Sequence, residues 1–183
     1  YRPQAETLPS DPAFQKLLEA RPETARAREL HAVGQPAWAN AEWNAATRDL
    51  DDVGRQQAAR VAARWGWHVQ AVSTLGQTSA RNVLEILYPD PYALDIRRGA
   101  QQVRLPPEWI YGVMRQESLF QPQARSSANA FGLLQLLLPT AQGVARRWSL
   151  PLPTREDLFK PDVNIPLGAA YLREMTDRFD GQF

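Results

Sequence analysis

The sequence predicts an all-α protein, and two observations carry this prediction. Short segments with apolar residues at helical spacing follow one another along the 183-residue chain. Many of these segments open at a proline and close at a glycine, the residues that suit the first turn of a helix and the position just after its end. In the N-terminal half, consecutive short helices of this kind indicate stacked helical hairpins, an irregular α-solenoid.

The N-terminal half contains three helices that the pattern predicts clearly: 22–31, 36–50 and 55–65. On the second of them, Trp38, Ala41 and Ala45 share one face. Four tryptophans in this half could stack on sugars, but their helical spacing favours packing between helices: Trp38, Trp43, Trp65 and Trp67. The two histidines, His31 and His68, lie alone and are expected to be ordinary helix residues rather than metal ligands.

The segment 88–92 reads Tyr-Pro-Asp-Pro-Tyr and predicts a turn-rich linker, since each proline keeps the residue before it out of a helix. We therefore expect two domains, 1–100 and 101–183. In the second domain the predicted helices, joined by long polar loops, are 107–118, 139–148 and 164–179.

Composition excludes several classes of function. The formal net charge is +1, which provides no electrostatic footprint for nucleic acid. The chain has no cysteine, so a disulfide or a thiolate metal site is impossible. No metal-ligand cluster or phosphate-binding loop is present, and we expect neither a metal nor a cofactor. No apolar run approaches the length of about 18 residues that a transmembrane helix needs.

Glu117 is the candidate catalytic residue. It ends a predicted helix in which Ile110, Val113 and Met114 have the spacing of a buried stripe, and it continues that stripe seven residues after Ile110. Burial disfavours the charged form of a carboxyl group. We therefore expect Glu117 to be buried and protonated near neutral pH, as a general acid requires. The alternative is a glutamate that points out of the stripe and pairs with an arginine.

Three ordered blocks of sequence around this glutamate resemble the soluble lytic transglycosylases of the goose-lysozyme-like superfamily. The blocks are RQESLF at 115–120, SSANAFGLLQL at 126–136 and NIPLGAAYL at 164–172. The second block departs from the family pattern, with Asn129 in place of a glycine and Leu134 in place of a methionine. Asn129 tolerates a positive φ angle, so we expect it to be structural. The resemblance implies a lysozyme-like catalytic domain at 101–183 that follows a helical superstructure.

The resemblance also implies a reaction. Lytic transglycosylases cleave the MurNAc-β-1,4-GlcNAc bond of peptidoglycan in the periplasm and leave 1,6-anhydro-MurNAc ends without consuming water. Glu117 would give a proton to the glycosidic oxygen and then take one from the C6 hydroxyl. No second acid stands in the matched blocks. Two alternatives remain open: a muramidase that uses water, and a noncatalytic scaffold that binds glycan or, on its helical superstructure, protein partners.

Candidate substrate-binding residues come from the same blocks: Ser118, Leu134, Gln135 and Tyr171. The amide of Gln135 can donate and accept hydrogen bonds together, as sugar hydroxyls demand. The Ser118 hydroxyl either holds the substrate's acetamido group or bonds the backbone at its helix end. The family pattern continues with a further tyrosine-asparagine block that this chain does not include, so we expect an incomplete groove and weak or absent activity.

Overall fold

A computed structural model of the chain describes residues 5–179, and it confirms the all-α class. The helices form two compact units, the first ending at Pro89 and the second beginning at Asp90. The expected domain boundary after residue 100 falls inside helix α7 (Ala93–Val103). This helix belongs to the second unit because it packs against α10 (Pro161–Arg178), where Gly99 faces Ile165 and Ala169.

The first unit consists of six helices within the described residues. Their bounds are α1 (Pro12–Glu19), α2 (Pro22–Ala32), α3 (Pro36–Thr47), α4 (Asp52–Arg64), α5 (His68–Leu75) and α6 (Leu84–Leu87). Four of these helices begin at residues that favour a helix start. Helices α1, α2 and α3 begin at proline, and the Asp51 carboxylate caps α4 by accepting a hydrogen bond from the amide of Gly54 at 2.7 Å.

Trp43 lies at the centre of the first unit's core. Its side chain is fully enclosed, and its ring meets those of Trp65 and Trp67 edge to face, with ring centroids 5.7 and 5.6 Å apart. The indole N–H donates to the Thr74 hydroxyl at 2.9 Å, so the one polar atom of this side chain is satisfied. These three tryptophans therefore pack between helices, as their spacing predicts.

The expectation for Trp38 is wrong. Its side chain is 68% exposed, and the buried face of α3 instead carries Ala39, Trp43 and Ala46. Alanine and tryptophan occur on both sides of this helix, so its sequence has almost no apolar stripe to show which side faces the core. Only the position of the neighbouring helices decides between the two faces.

The second unit contains four helices and one short hairpin within the described residues. Its remaining elements are α8 (Pro107–Ser118), β1 (Ala130–Phe131), β2 (Leu136–Leu137) and α9 (Leu138–Arg147). The strands are antiparallel, with Ala130 opposite Leu137 and Phe131 opposite Leu136. A 3-10 turn, Asp157–Phe159, precedes α10.

The hairpin interrupts the long polar loop that the sequence predicts between α8 and α9. Phe131 and Leu136 are buried, and they join Ile110 and Met114 of α8 in the second unit's core. The hairpin thus places residues 132–135, the turn between its strands, beside the C-terminal end of α8. Between residues 5 and 179, no helix is both long and apolar enough to cross a membrane.

Candidate active site

Glu117 lies in the last turn of α8 and is exposed to solvent, so the expectation of a buried carboxyl is wrong. Ile110 and Met114 are buried, as the stripe predicts, but the next enclosed side chain is that of Ser118. Helical periodicity indicates the side of the helix on which a residue lies. It does not show whether another element covers that side at the helix end, and here the last turn opens into a groove.

The groove is a cavity of about 390 Å³. Apolar side chains line most of it, together with a few polar groups that converge from three helices and the hairpin turn. The lining residues are Val113, Glu117, Leu134, Gln135, Leu136, Leu137, Thr140, Gly168, Tyr171 and Leu172. Glu117 contributes the only carboxylate among these lining residues, so proton transfer to or from a bound ligand points to this group.

Gln135 lines the groove from the hairpin turn, where its backbone is left-handed with φ 46°. Its side-chain nitrogen donates to the carbonyls of Gly132 at 2.8 Å and Ala124 at 3.2 Å. The two donors of the amide are therefore used in holding the loop, and the carbonyl oxygen is the atom that remains for a ligand.

Leu134 lies on the floor of the groove, directly over Gly168 of α10. A Cβ atom at Gly168 would come within 2.1 Å of the Leu134 side chain, so a larger residue there would displace it. The amide of Leu134 donates to the side chain of Asn164 at 2.8 Å. This backbone donor is therefore not available to a sugar, and the contribution of Leu134 to the groove is apolar.

The other two predicted site residues differ in position. Tyr171 is half-buried and lines the groove from α10. Ser118 is buried, is not among the lining residues, and donates its hydroxyl to the carbonyl of Met114 at 3.1 Å. The structure thus shows the backbone-bonding arrangement for Ser118, which is one of the two possibilities that its sequence position leaves open.

Sequence reasoning overlooked Thr140 and Asn164. Thr140 belongs to the first turn of α9 and lines the groove. Asn164 is fully enclosed and contacts the hairpin turn. The sequence does carry a signal for Asn164, which is an asparagine between apolar positions on the predicted buried face of a helix. A buried amide needs hydrogen-bond partners, so such a residue is expected to bond another segment.

Asp157, which precedes α10, is not among the residues that line the groove. Its carboxylate accepts from the Lys160 ammonium at 2.8 Å and from the Thr154 hydroxyl at 2.7 Å. These bonds hold the pKa of Asp157 well below its usual range, so this group stays charged and engaged at neutral pH.

Fold and site together define a helical, lysozyme-like domain that presents one carboxylate over an apolar groove. Family comparisons agree with this class. Residues 95–183 match the transglycosylase SLT domain, and residues 17–84 match the soluble lytic murein transglycosylase L domain. The two matches together span most of the chain, and the chain belongs to the soluble lytic transglycosylase family.

Individual relatives are similar along nearly the whole chain. A putative soluble lytic murein transglycosylase of Haemophilus influenzae is 31% identical over 96% of this chain. The lytic transglycosylase Slt of Pseudomonas aeruginosa, solved as an inactive glutamate-to-glutamine mutant, is 34% identical with a TM-score of 0.84 and 94% of the chain covered. A 70-kDa soluble lytic transglycosylase, solved in complex with bulgecin A, is 26% identical, with a TM-score of 0.87 over 100% of the chain.

The chain spans little more than a quarter of the length of these relatives. It covers 28% of the Haemophilus protein, 28% of the Pseudomonas chain and 29% of the 70-kDa transglycosylase chain.

Proposed function

We propose that the second unit cleaves peptidoglycan glycan strands by lytic transglycosylation, with Glu117 as the single acid and base. The observation that carries this proposal is that Glu117 is the only carboxylate among the residues that line the groove. Family membership supports the substrate class, and the inactive glutamate-to-glutamine mutant of the Pseudomonas relative supports a glutamate as the essential group.

Hydrolases with two carboxylates place them about 5–9.5 Å apart across the scissile bond. A groove with one carboxylate suits a reaction in which the substrate supplies the nucleophile. The protonated carboxyl of Glu117 gives its proton to the glycosidic oxygen as the bond from C1 of MurNAc breaks, while the N-acetyl oxygen bonds to C1. The C6 hydroxyl then attacks C1, the N-acetyl oxygen leaves, and Glu117 takes the hydroxyl proton.

The exposure of Glu117 fits this scheme when a bound glycan covers the carboxyl. A bound strand would exclude water from the groove, and a water-poor site favours the neutral, proton-donating form of an acid. Val113, Leu134 and Leu172 provide the apolar surroundings for this effect. The side chains of Gln135, Thr140 and Tyr171 would orient the sugar through its hydroxyl and acetamido groups.

Mass spectrometry of the products tests the proposal. Purified peptidoglycan incubated with the chain should release muropeptides with 1,6-anhydro ends. These ends are lighter by one water than the reducing ends that a muramidase leaves. Reducing ends would identify the water-using alternative. Because weak or absent activity is expected of this chain, the third outcome is read from a chain extended through the tyrosine-asparagine block: glycan binding there without any new ends would favour a noncatalytic scaffold.

The proposal places the protein in the periplasm, where its substrate lies. The reaction is proposed for a chain that spans only part of its relatives' length, and weak or absent activity of this chain stays a prediction. Protein partners on the first unit also stay a prediction.

A further inference from the structure

Asn164, on the buried face of α10, connects two other segments to that helix. Its carbonyl oxygen accepts from the amide of Leu134 at 2.8 Å. Its amide nitrogen donates to the carbonyl of Phe131 at 3.0 Å and to that of Leu158 at 2.8 Å. The side chain is 0% exposed, so both donors and an acceptor site of this amide serve main-chain groups that water does not reach.

Steric contacts also fix the position of the turn 132–135, in addition to these hydrogen bonds. A Cβ atom at Gly132 would lie 2.0 Å from the carbonyl oxygen of Leu158 and 2.4 Å from the Asn164 amide nitrogen. Glycine, with φ 75°, is therefore required at this position for steric and conformational reasons. On the other side of the turn, Leu134 rests on Gly168. The turn is thus enclosed between α10 and the segment at Leu158. The contacts at Gly132 and Gly168 set the distance between the turn and α10.

Gln135 directly follows the anchored amide of Leu134. Its backbone is left-handed, and it lines the groove together with Glu117. A shift of the turn would move Gln135 and Leu134 together relative to α8. Misplacement of a substrate-holding group by about 1 Å can cost about 100-fold in rate, so the anchoring of this turn matters for the site.

We propose that Asn164 is a positioning residue of the groove: its amide holds the turn 132–135 where Leu134 and Gln135 can contact a glycan. The inference rests on the proposed function, since it assigns the groove to a glycan. It differs from a purely stabilising role, because loss of the Asn164 contacts should change the surroundings of the Gln135 side chain in a protein that is still folded.

Gln57 of α4 offers a matched control in the first unit. Its amide is 2% exposed, accepts from the Gln15 side chain at 2.8 Å and donates to the carbonyl of Pro9 at 2.8 Å. Asn164→Asp and Gln57→Glu are the same isosteric change in a buried side chain, and each removes the side-chain N–H donors that serve main-chain carbonyls. Both variants should melt at lower temperature than the unchanged chain.

The probe is the β-1,4-linked tetramer of N-acetylglucosamine, titrated while the side-chain amide resonances of Gln135 are followed by NMR. Asn164→Asp should shift these resonances and weaken tetramer binding at least tenfold. Gln57→Glu should leave the resonances in place and the affinity within twofold. Unshifted Gln135 resonances together with unchanged affinity in Asn164→Asp would overturn the inference.

Hydrogen exchange in the unchanged chain decides the matter if Asn164→Asp does not fold. The amide of Leu134 should exchange as slowly as the buried amides of α10, although it lies in a turn. Exchange at the rate of an exposed loop amide would overturn the inference. If the unchanged chain does not bind the tetramer, the proposed function fails on that result, while the exchange rate and the Gln135 resonances still test the role of Asn164.

Discussion

The two units of the chain differ in where their backbone turns left-handed. Within the described part of the first unit, positive φ angles occur only at Gly34 and Gly66, where a missing Cβ makes them inexpensive. In the second unit, side chains occupy this region at seven positions: Tyr92, Arg104, Leu119, Phe120, Asn129, Gln135 and Ser149.

Four of these seven positions lie between α8 and α9, in the segment that carries the groove: Leu119, Phe120, Asn129 and Gln135. Left-handed backbone costs a residue with a Cβ roughly 1–2 kcal/mol. Such conformations persist where the surroundings enforce them, and they concentrate at functional sites. The described part of the first unit thus confines left-handed backbone to glycines, whereas the second unit accepts local strain in the segment that carries the groove.

The largest expected effect is on glycan cleavage, when Glu117 of the second unit is changed to Gln. Because weak or absent cleavage is expected of this chain, the change is made in a chain extended through the tyrosine-asparagine block. There we expect loss of glycan cleavage by at least about 100-fold, because the amide cannot donate and accept the proton of a general acid and base. Since Glu117 is exposed, stability should change by no more than about 0.5 kcal/mol. Muropeptide release from purified peptidoglycan and thermal unfolding measure the two effects.

Glu108→Gln is the matched control, since Glu108 is an exposed glutamate in the first turn of the same helix. It should leave cleavage unchanged. If Glu117→Gln cleaved glycan at the rate of the unchanged protein, another residue would be the acid. The link between the strained segment of the second unit and catalysis would then be lost.

A change in the first unit's core should affect stability most. Trp43→Ala removes a fully enclosed ring and its hydrogen bond to Thr74, and we expect a loss of about 3–5 kcal/mol in the free energy of unfolding. Trp38→Ala, at an exposed position of the same helix, should cost no more than about 0.5 kcal/mol. Urea unfolding compares the pair, and equal losses would contradict the core described for this unit.

Two helix ends test the backbone comparison directly. After α4, the chain turns at the left-handed Gly66, and the amide of Trp67 donates to the carbonyl of Ala62. After α9, the chain turns at the left-handed Ser149, and the amide of Leu150 donates to the carbonyl of Ala145. Gly66→Ala should therefore destabilise by about 1 kcal/mol, and Ser149→Gly should stabilise by up to about 1 kcal/mol. Urea unfolding measures both, and the same sign in both variants would show that φ does not govern these ends.

The smallest expected effect is a pH dependence confined to the first unit, which holds both histidines of the chain. Burial lowers the pKa of His31, which stacks on Trp67 at 4.5 Å, and of His68. The unfolded chain therefore binds protons more readily, and the stabilisation is present above the unfolded pKa of about 6.5 and lost as the pH falls below it.

Unfolding followed through the tryptophans of the first unit at about pH 7.5 and about pH 5.5 tests this dependence. His31→Phe keeps an aromatic ring over Trp67 and removes the titrating group, so its stability should vary less between the two pH values. A variant with the same pH dependence as the unchanged chain would assign the effect to other groups.

The elements predicted best from the sequence are those with local signals. Helix α8 begins and ends where the proline pair and the apolar spacing place it, and Asn129 adopts the positive φ that its substitution for glycine predicts. The hairpin around residues 132–135 was not predicted, because its strands are two residues long and show no alternating pattern of their own. Its geometry depends on Asn164, about thirty residues further along the chain.

The sequence by itself determined the helical class, the family and the glutamate at the end of α8, because periodicity, proline and glycine positions and ordered motifs are local properties of the chain. Only the tertiary structure decided that Glu117 is open to solvent, that Trp38 lies outside the core and that Asn164 holds the groove's turn. Each of these depends on which distant segment covers a side chain or completes its hydrogen bonds. A local pattern shows on which side of a helix a residue lies, and the packing of other elements decides what that side meets.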